Sequence, residues 1–203
     1  MASFFTPEAK ARAEAAVRAF ESHTSAELVI ALRTTSSRYL HAHFGWGSLF
    51  AFAGLMVLLF HPEPFSVEMI PVDLVVAYAV GAGLSVALPV LRRMFVLPGR
   101  RKSETAKAAR ALFVDNGITK TTGRTGVLVY LSHFEQRVEV VCDVGVTPDA
   151  KRAAETARTH LLQAFVQGDV DRFASELELL GKTFGATMPR SADDVNELSD
   201  EVA

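Results

Sequence analysis

Two long stretches almost free of charge constrain this chain more than anything else in it. Residues 44–60 read FGWGSLFAFAGLMVLLF, and residues 70–91 read IPVDLVVAYAVGAGLSVALPVL with one ionisable group, Asp73, near the start. A helix rises 1.5 Å per residue, so about 20 apolar residues cross a hydrocarbon core of about 30 Å. The first run lies at the short end of that range and the second meets it. Residues 61–69, HPEPFSVEM, join them with two prolines, two glutamates and no lysine or arginine. A connection this short makes the two helices antiparallel, so their outer ends emerge on one face. The outer flanks carry Arg33 and Arg38 on one side and Arg92, Arg93, Arg100, Arg101 and Lys102 on the other. Basic residues beside a membrane favour its cytoplasmic side. The expectation is a two-span hairpin over residues 41–92 in the cell membrane, with both termini cytoplasmic. Trp46 is expected at headgroup level and Asp73 in an interfacial helix start. Gly81, Gly83 and Ser85 allow close helix contact, and Pro89 is expected to kink or end the second helix.

Outside the hairpin, composition mainly excludes. A net charge of −2 over 203 residues lacks the basic excess of a nucleic-acid binder. The single cysteine, Cys142, rules out an intrachain disulfide and reads as a small buried strand residue. Lys10, Arg12, Glu14 and Arg18 interrupt the N-terminal stretch, so no signal-peptide core is expected there.

The soluble segments alternate helix and strand. Thr6-Pro7 reads as an N-cap with proline at the first helical position, and Ala9, Ala13, Ala16, Val17 and Phe20 recur on one face. AELVIALR, residues 26–33, reads as a buried strand. After the hairpin a helix is expected from Ser103 to Asp115, ended by Asn116-Gly117. TGVLVYLS (125–132) and RVEVVCDVG (137–145) read as strands joined by the turn HFEQ. Thr147-Pro148 starts a helix to Gln167 that Gly168 breaks. A last helix places Phe173, Leu177, Leu180 and Phe184 on one face. Residues 189–203 form an acidic tail with Asp193, Asp194, Glu197, Asp200 and Glu201. An isolated strand is unstable, so 26–33 is expected to pair with 125–132 across the insertion. The fold class is therefore α/β, one soluble domain in two parts (1–40 and 93–188) interrupted by a transmembrane helical hairpin.

Four stretches carry a family likeness: ESHTSAELVI (21–30), RTGVLVYLS (124–132), EQRVEVVCDVG (135–145) and NELSD (196–200). Together, in this order and spacing, they resemble the TPM domain family, named for thylakoid-lumen, photosystem II-associated and neuronal membrane members. The resemblance implies a helix–sheet–helix sandwich with a small mixed sheet. It also implies association with membranes, roles in assembly or repair of membrane complexes and, in some members, phosphatase activity or divalent-metal binding. Many members carry a leader and a domain outside the cytoplasm; here a hairpin lies inside the domain instead.

The acidic candidates are Glu27, Asp115, Glu135 and Asp143. Divalent metals gather several oxygens at one point. Asp143, in the family's D-x-G stretch at a strand end, and Glu27, in its T-S-A-E, are the candidate metal ligands. Asp143 with Arg124 is the candidate catalytic pair. The plainer readings are that Asp143 caps a turn or helix start and that Glu27 pairs with an arginine such as Arg137. KTTGRTG (120–126) lacks the phosphate-loop pattern and leads into a strand, so it reads as a loop with Arg124 tethering the strand entry. His41 and His43 read as interfacial polar residues rather than ligands. No H-E-x-x-H, C-x-x-C or G-x-S-x-G occurs. The reading reached is a non-catalytic, membrane-anchored TPM-domain module that binds or scaffolds membrane-protein partners. Membrane lipids are its other partners, with no nucleic acid and no obligatory cofactor. The alternative is a divalent-metal-dependent phosphatase.

Overall fold

Local chemistry sets the first helix. Thr6 Oγ1 accepts the Ala9 N–H at 3.2 Å and Pro7 opens α1, Pro7–Glu21, which buries Ala9, Ala13, Ala16, Val17 and Phe20. The structure, a computed structural model, describes residues 2–62, 65–190 and 197–198. Asp193, Asp194, Asp200 and Glu201 of the acidic tail lie outside the described residues. The chain divides into two units, Met1–Ser36 with Lys102–Ala203, and Ser37–Arg101.

The first unit is built on a three-stranded mixed sheet in the order β1-β2-β3. β1 is Leu28–Arg33, β2 is Val127–Ser132 and β3 is Arg137–Cys142. β1 and β2 run parallel from Leu28↔Val127 to Arg33↔Ser132, so the strand before the apolar hairpin does pair with the strand after it. β3 folds back antiparallel, Val127↔Cys142 to Ser132↔Arg137. β2 is buried at all six positions, which its near-continuous apolar run VLVYL requires of a central strand covered on both faces.

Strand alternation sorts the side chains into two layers. Leu28, Ile30, Val127, Val129, Leu131 and Val138 pack against α1, α6 (Pro148–Gln167) and α7 (Val170–Gly185). Val29, Ala31, Leu128 and Tyr130 pack against Ala109 and Phe113 of α5 (Pro98–Asp115) and against Ile118. Phe20, Phe173, Phe184, Leu161 and Leu177 are fully buried in the first layer. Each such side chain contributes about 1.5–3 kcal/mol. Phe4 closes the layer edge-on to Phe165 and Phe173, with ring centroids at 5.2 and 5.3 Å.

In the second unit α2, Leu40–Phe60, and α3, Ile70–Ala87, lie antiparallel. Their contacts run in opposite senses along the two helices. His43 Nδ1 is 3.0 Å from Ser85 Oγ, and a Cβ on Gly47 would meet the Tyr78 ring at 2.6 Å. A Cβ on Gly81 would meet the Trp46 carbonyl oxygen at 2.6 Å. Glycine at position 81 is what lets the two backbones approach. Trp46 Nε1 donates to the Leu91 carbonyl at 2.7 Å, tying down α4, Pro89–Met94. Asp73 is in the first turn of α3, where a negative charge suits the helix dipole.

The strands are shorter than expected, starting at Leu28 and Val127 and ending at Cys142, and three helix boundaries differ from expectation. α2 starts at Leu40, not residue 44. α3 ends at Ala87, because Leu88 precedes Pro89 and is extended (φ −115, ψ 99); Pro89 then opens the separate short helix α4. α5 starts at Pro98 rather than after Ser103, since proline is well placed in a first turn and Ser103 falls inside the helix.

Candidate functional site

The ladder places the strongest candidates at one end of the sheet. Val127 N–H donates to the Glu27 carbonyl at 2.8 Å, and Asp143 N–H donates to the Gly126 carbonyl at 2.9 Å. Glu27, Gly126 and Asp143 therefore extend the register as one row just beyond the strands. Neighbouring strands are about 4.8 Å apart, so Glu27 and Asp143 are about 10 Å apart through Gly126. Alternation sends both side chains toward the α5 face. Between them a Cβ on Gly126 would meet Ile118 Cγ2 and the Ile118 carbonyl oxygen, both at 2.5 Å. The Ile118 segment thus packs directly on Gly126, the middle residue of the row.

Asp143 has a different partner. Arg124 Nε and Nη2 donate to its two carboxylate oxygens, each at 2.9 Å, and the Val144 N–H donates to Oδ1 at 2.7 Å. The Asp143 side chain is 3% exposed and that of Arg124 is 52% exposed. The Arg124 fork holds the Asp143 carboxyl below its usual range against the opposing effect of burial, and the Val144 N–H adds to it. Arg124 occupies the left-handed region at φ 53, which costs a non-glycine residue about 1 kcal/mol or more. Its main chain is pinned there by its N–H on the Thr121 carbonyl at 2.9 Å and its carbonyl under the Gly145 N–H at 2.8 Å. The pair is a strut across the KTTGRTG loop. Asp143 caps its own turn, while the α6 start is capped by Thr147 Oγ1, which accepts the Ala150 N–H.

Other candidates disperse. Arg137 lies opposite Ser132 at the far end of the sheet, 3.8 Å from Glu139, so the expected Glu27–Arg137 pair is not formed. β2 carries six residues at about 3.3 Å each, which separates the two ends by about 17 Å. Asp115 is exposed at the end of α5. Among the described residues, no three His, Cys, Asp or Glu side chains converge as metal ligands. Burial pushes the Cys142 thiol up to about 11.

Glu135 builds a second polar cluster that sequence reasoning did not assemble. It is 2% exposed. Its carboxylate accepts the Ser36 N–H at 2.9 Å, the Thr35 hydroxyl at 3.4 Å and the Ser132 hydroxyl. Ser36 Oγ donates to Ser132 Oγ at 2.9 Å and lies 3.2 Å from the Tyr130 hydroxyl. Burial raises the Tyr130 phenol above its ordinary value. The cluster ties the exit of β1 to the β2–β3 turn. Its only sequence signal was the S-x-x-E spacing at 132–135, which brings a hydroxyl and a carboxylate together over a turn.

Fold and site define a mixed α/β unit with helices on both sheet faces and an apolar helical hairpin inserted between its parallel strands. No family description and no curated protein matches the chain. Among solved structures the chain is similar to the NMR structure of the BA42 protein from the psychrophilic bacterium Bizionia argentinensis sp. nov.. The TM-score is 0.58 at 16% identity, over 98% of this chain and 93% of that one. At that identity the likeness concerns the fold alone.

Proposed function

We propose that this chain is a membrane-anchored, TPM-like module that binds or scaffolds membrane-protein partners, held in the cell membrane by α2 and α3 with both termini in the cytoplasm. One observation carries the reading: the hairpin is apolar and uncovered. Both helices are long and apolar enough to span, and only 6% and 11% of their apolar windows are buried. Phe52, Leu59, Val75, Val76, Val80 and Val86 all face outward. A core helix of a soluble protein would bury such side chains, and contiguous exposed apolar surface marks a membrane or partner contact. The basic residues of the outer flanks support the cytoplasmic orientation, and each attracts anionic lipid by about 1 kcal/mol near the surface. Reporter fusions at both ends of the full chain test the topology. Fluorescence from a cytoplasm-dependent reporter at each end is expected; ends on opposite sides, or both outside, overturn it. Crosslinked capture from membranes at native expression tests the scaffold role, and recovery of the chain alone overturns it.

A second reading, the divalent-metal-dependent phosphatase, is favoured by the meeting of Asp143 and Arg124 at a strand-end rim. The donor set as arranged does not fit a divalent ion. Such ions take six or more oxygens, whereas both Asp143 oxygens already accept from the Arg124 guanidinium. Purified protein with magnesium or manganese and a generic phosphate ester tests this reading; hydrolysis lost in Asp143→Ala would establish it.

A further inference from the structure

The two edges of the sheet are not equivalent. On β1, Leu28 turns its N–H away from β2 and donates it to Glu21 Oε1 at 3.0 Å, and Thr24 bridges to Pro189 just before the strand. That edge is closed near its start. On β3 the phase of the ladder follows from the Asp143–Gly126 and Gly145–Arg124 bonds. It makes Leu128–Val141 and Tyr130–Glu139 bond-exchanging pairs and turns the N–H and C=O groups of Val138, Val140 and Cys142 outward. Val138 is fully buried, whereas Val140 and Cys142 are partly exposed.

Among the described residues no main-chain partner takes these groups, and a groove of about 220 Å³ runs beside this edge, lined by Ala106, Ala109 and Arg110 of α5 and by β3 from Glu139 to Cys142. The small alanines leave room for an inserted side chain. The charged frame is basic in excess. Arg110 is exposed, and Arg137 flanks Glu139, with neither Arg137 Nε nor Glu139 Oε1 hydrogen-bonded among the described residues. On the other side, Lys151 and Glu155 of α6 act electrostatically on Cys142, and Arg158 is paired with Glu155 and acts on Glu139.

We infer that the β3 edge and its α5 groove form the docking site of the module, taking an extended acidic peptide segment of a membrane-protein partner as a fourth strand. The inference rests on the scaffold reading above. Main-chain bonds to Val140 and Cys142 supply affinity, and alternate side chains of the guest reach the groove. The acidic guest follows from the frame: Arg110, Arg137, Lys151 and Arg158 outnumber Glu139 and Glu155. A second copy would set that basic frame against itself.

The test uses the full chain in phosphatidylcholine nanodiscs, titrated with a capped decapeptide alternating valine and glutamate, beside its valine–lysine counterpart. The glutamate peptide is expected to bind and to slow amide exchange at Val140 and Cys142. Val140→Pro removes one outward donor, and Arg110→Glu reverses one framing charge. Each is expected to weaken binding about tenfold, the loss of one good interaction. Arg110→Glu changes an exposed helix position, so it keeps the test sharp if Val140→Pro fails to fold. Equal binding of the lysine peptide, protection elsewhere, or a peptide-free dimer that protects the same amides overturns the proposal. Crosslinked capture from membranes separates the two claims. If wild type and Arg110→Glu retain the same partner, the edge is wrong and the module stands. If neither captures a partner while the glutamate peptide binds, the scaffold reading falls and the edge site stands.

Discussion

Replacing Asp143 with asparagine keeps the shape of the side chain and removes its charge. The carboxylate is 3% exposed and receives two bonds from Arg124 and one from the Val144 N–H. Hydrogen bonds to a charged group are worth about 1.5–3 kcal/mol, but the 52% exposure of Arg124 moves the pair toward the surface value of about 0.2–1 kcal/mol. The expected loss is therefore about 1–2 kcal/mol for Asp143→Asn, with a smaller loss for Arg124→Ala and a coupling above the error of additivity in the double-mutant cycle. Urea unfolding of the full chain in detergent micelles, read by pulse proteolysis of the sheet-bearing unit, measures all three. The pH dependence has a definite sign. Because the folded carboxyl is held below its ordinary value, its contribution is complete above about pH 4. It is lost as pH falls through the depressed folded value, so wild type and Asp143→Asn are expected to converge in acid. Coupling below about 0.3 kcal/mol, the usual error of additivity, or a gap that persists in acid, refutes the strut. A gap that appears only with added magnesium or calcium would make Asp143 a metal ligand instead.

Four further outcomes are expected. Glu135→Ala removes the acceptor shared by Ser36, Thr35 and Ser132 in a buried cluster; it should cost about 2–3 kcal/mol and speed amide exchange at Ser36. Gly81→Leu drives a side chain into the Trp46 carbonyl and Phe50, whereas nothing lies within 4 Å of a Cβ on Gly83. Cysteines placed at positions 43 and 85 in a Cys142→Ser background should therefore crosslink poorly with Gly81→Leu and normally with Gly83→Leu. Phe4→Ala forfeits two edge-to-face ring contacts, and its mostly buried ring should be worth about 2–3 kcal/mol in urea unfolding. Cys142, with its thiol raised to about 11, should resist iodoacetamide at pH 7.5 in the folded chain and react within minutes once urea exposes it.

The elements were largely legible because their signals are local. Thr6-Pro7 and Thr147-Pro148 mark the starts of α1 and α6, and both threonines do cap. Gly117 and Gly168 take the left-handed conformation that helix endings need. The apolar faces read from Ala13, Val17 and Phe20, and from Phe173, Leu177 and Phe184, are buried. Pairing of β1 with β2 also followed from sequence, since neither strand is stable alone, but its parallel sense came only from the structure. Boundaries were less legible where two helix signals competed: Ser103 and Pro98 both offer a start, and the helix begins at Pro98.

The candidate site divides along the same physical line. Sequence alone determined that Asp143 stands at a strand end and that Arg124 stands at a strand entry, because alternation and loop composition are properties of a short window. Only the tertiary structure decided that Arg124 reaches both oxygens of Asp143, that Ile118 packs on Gly126, that Arg137 lies at the opposite end, and that Glu135 holds Ser36 across 99 positions. Those meetings depend on strand order, direction and register. These are chosen by the burial of whole faces over the entire chain, and no local window contains that information.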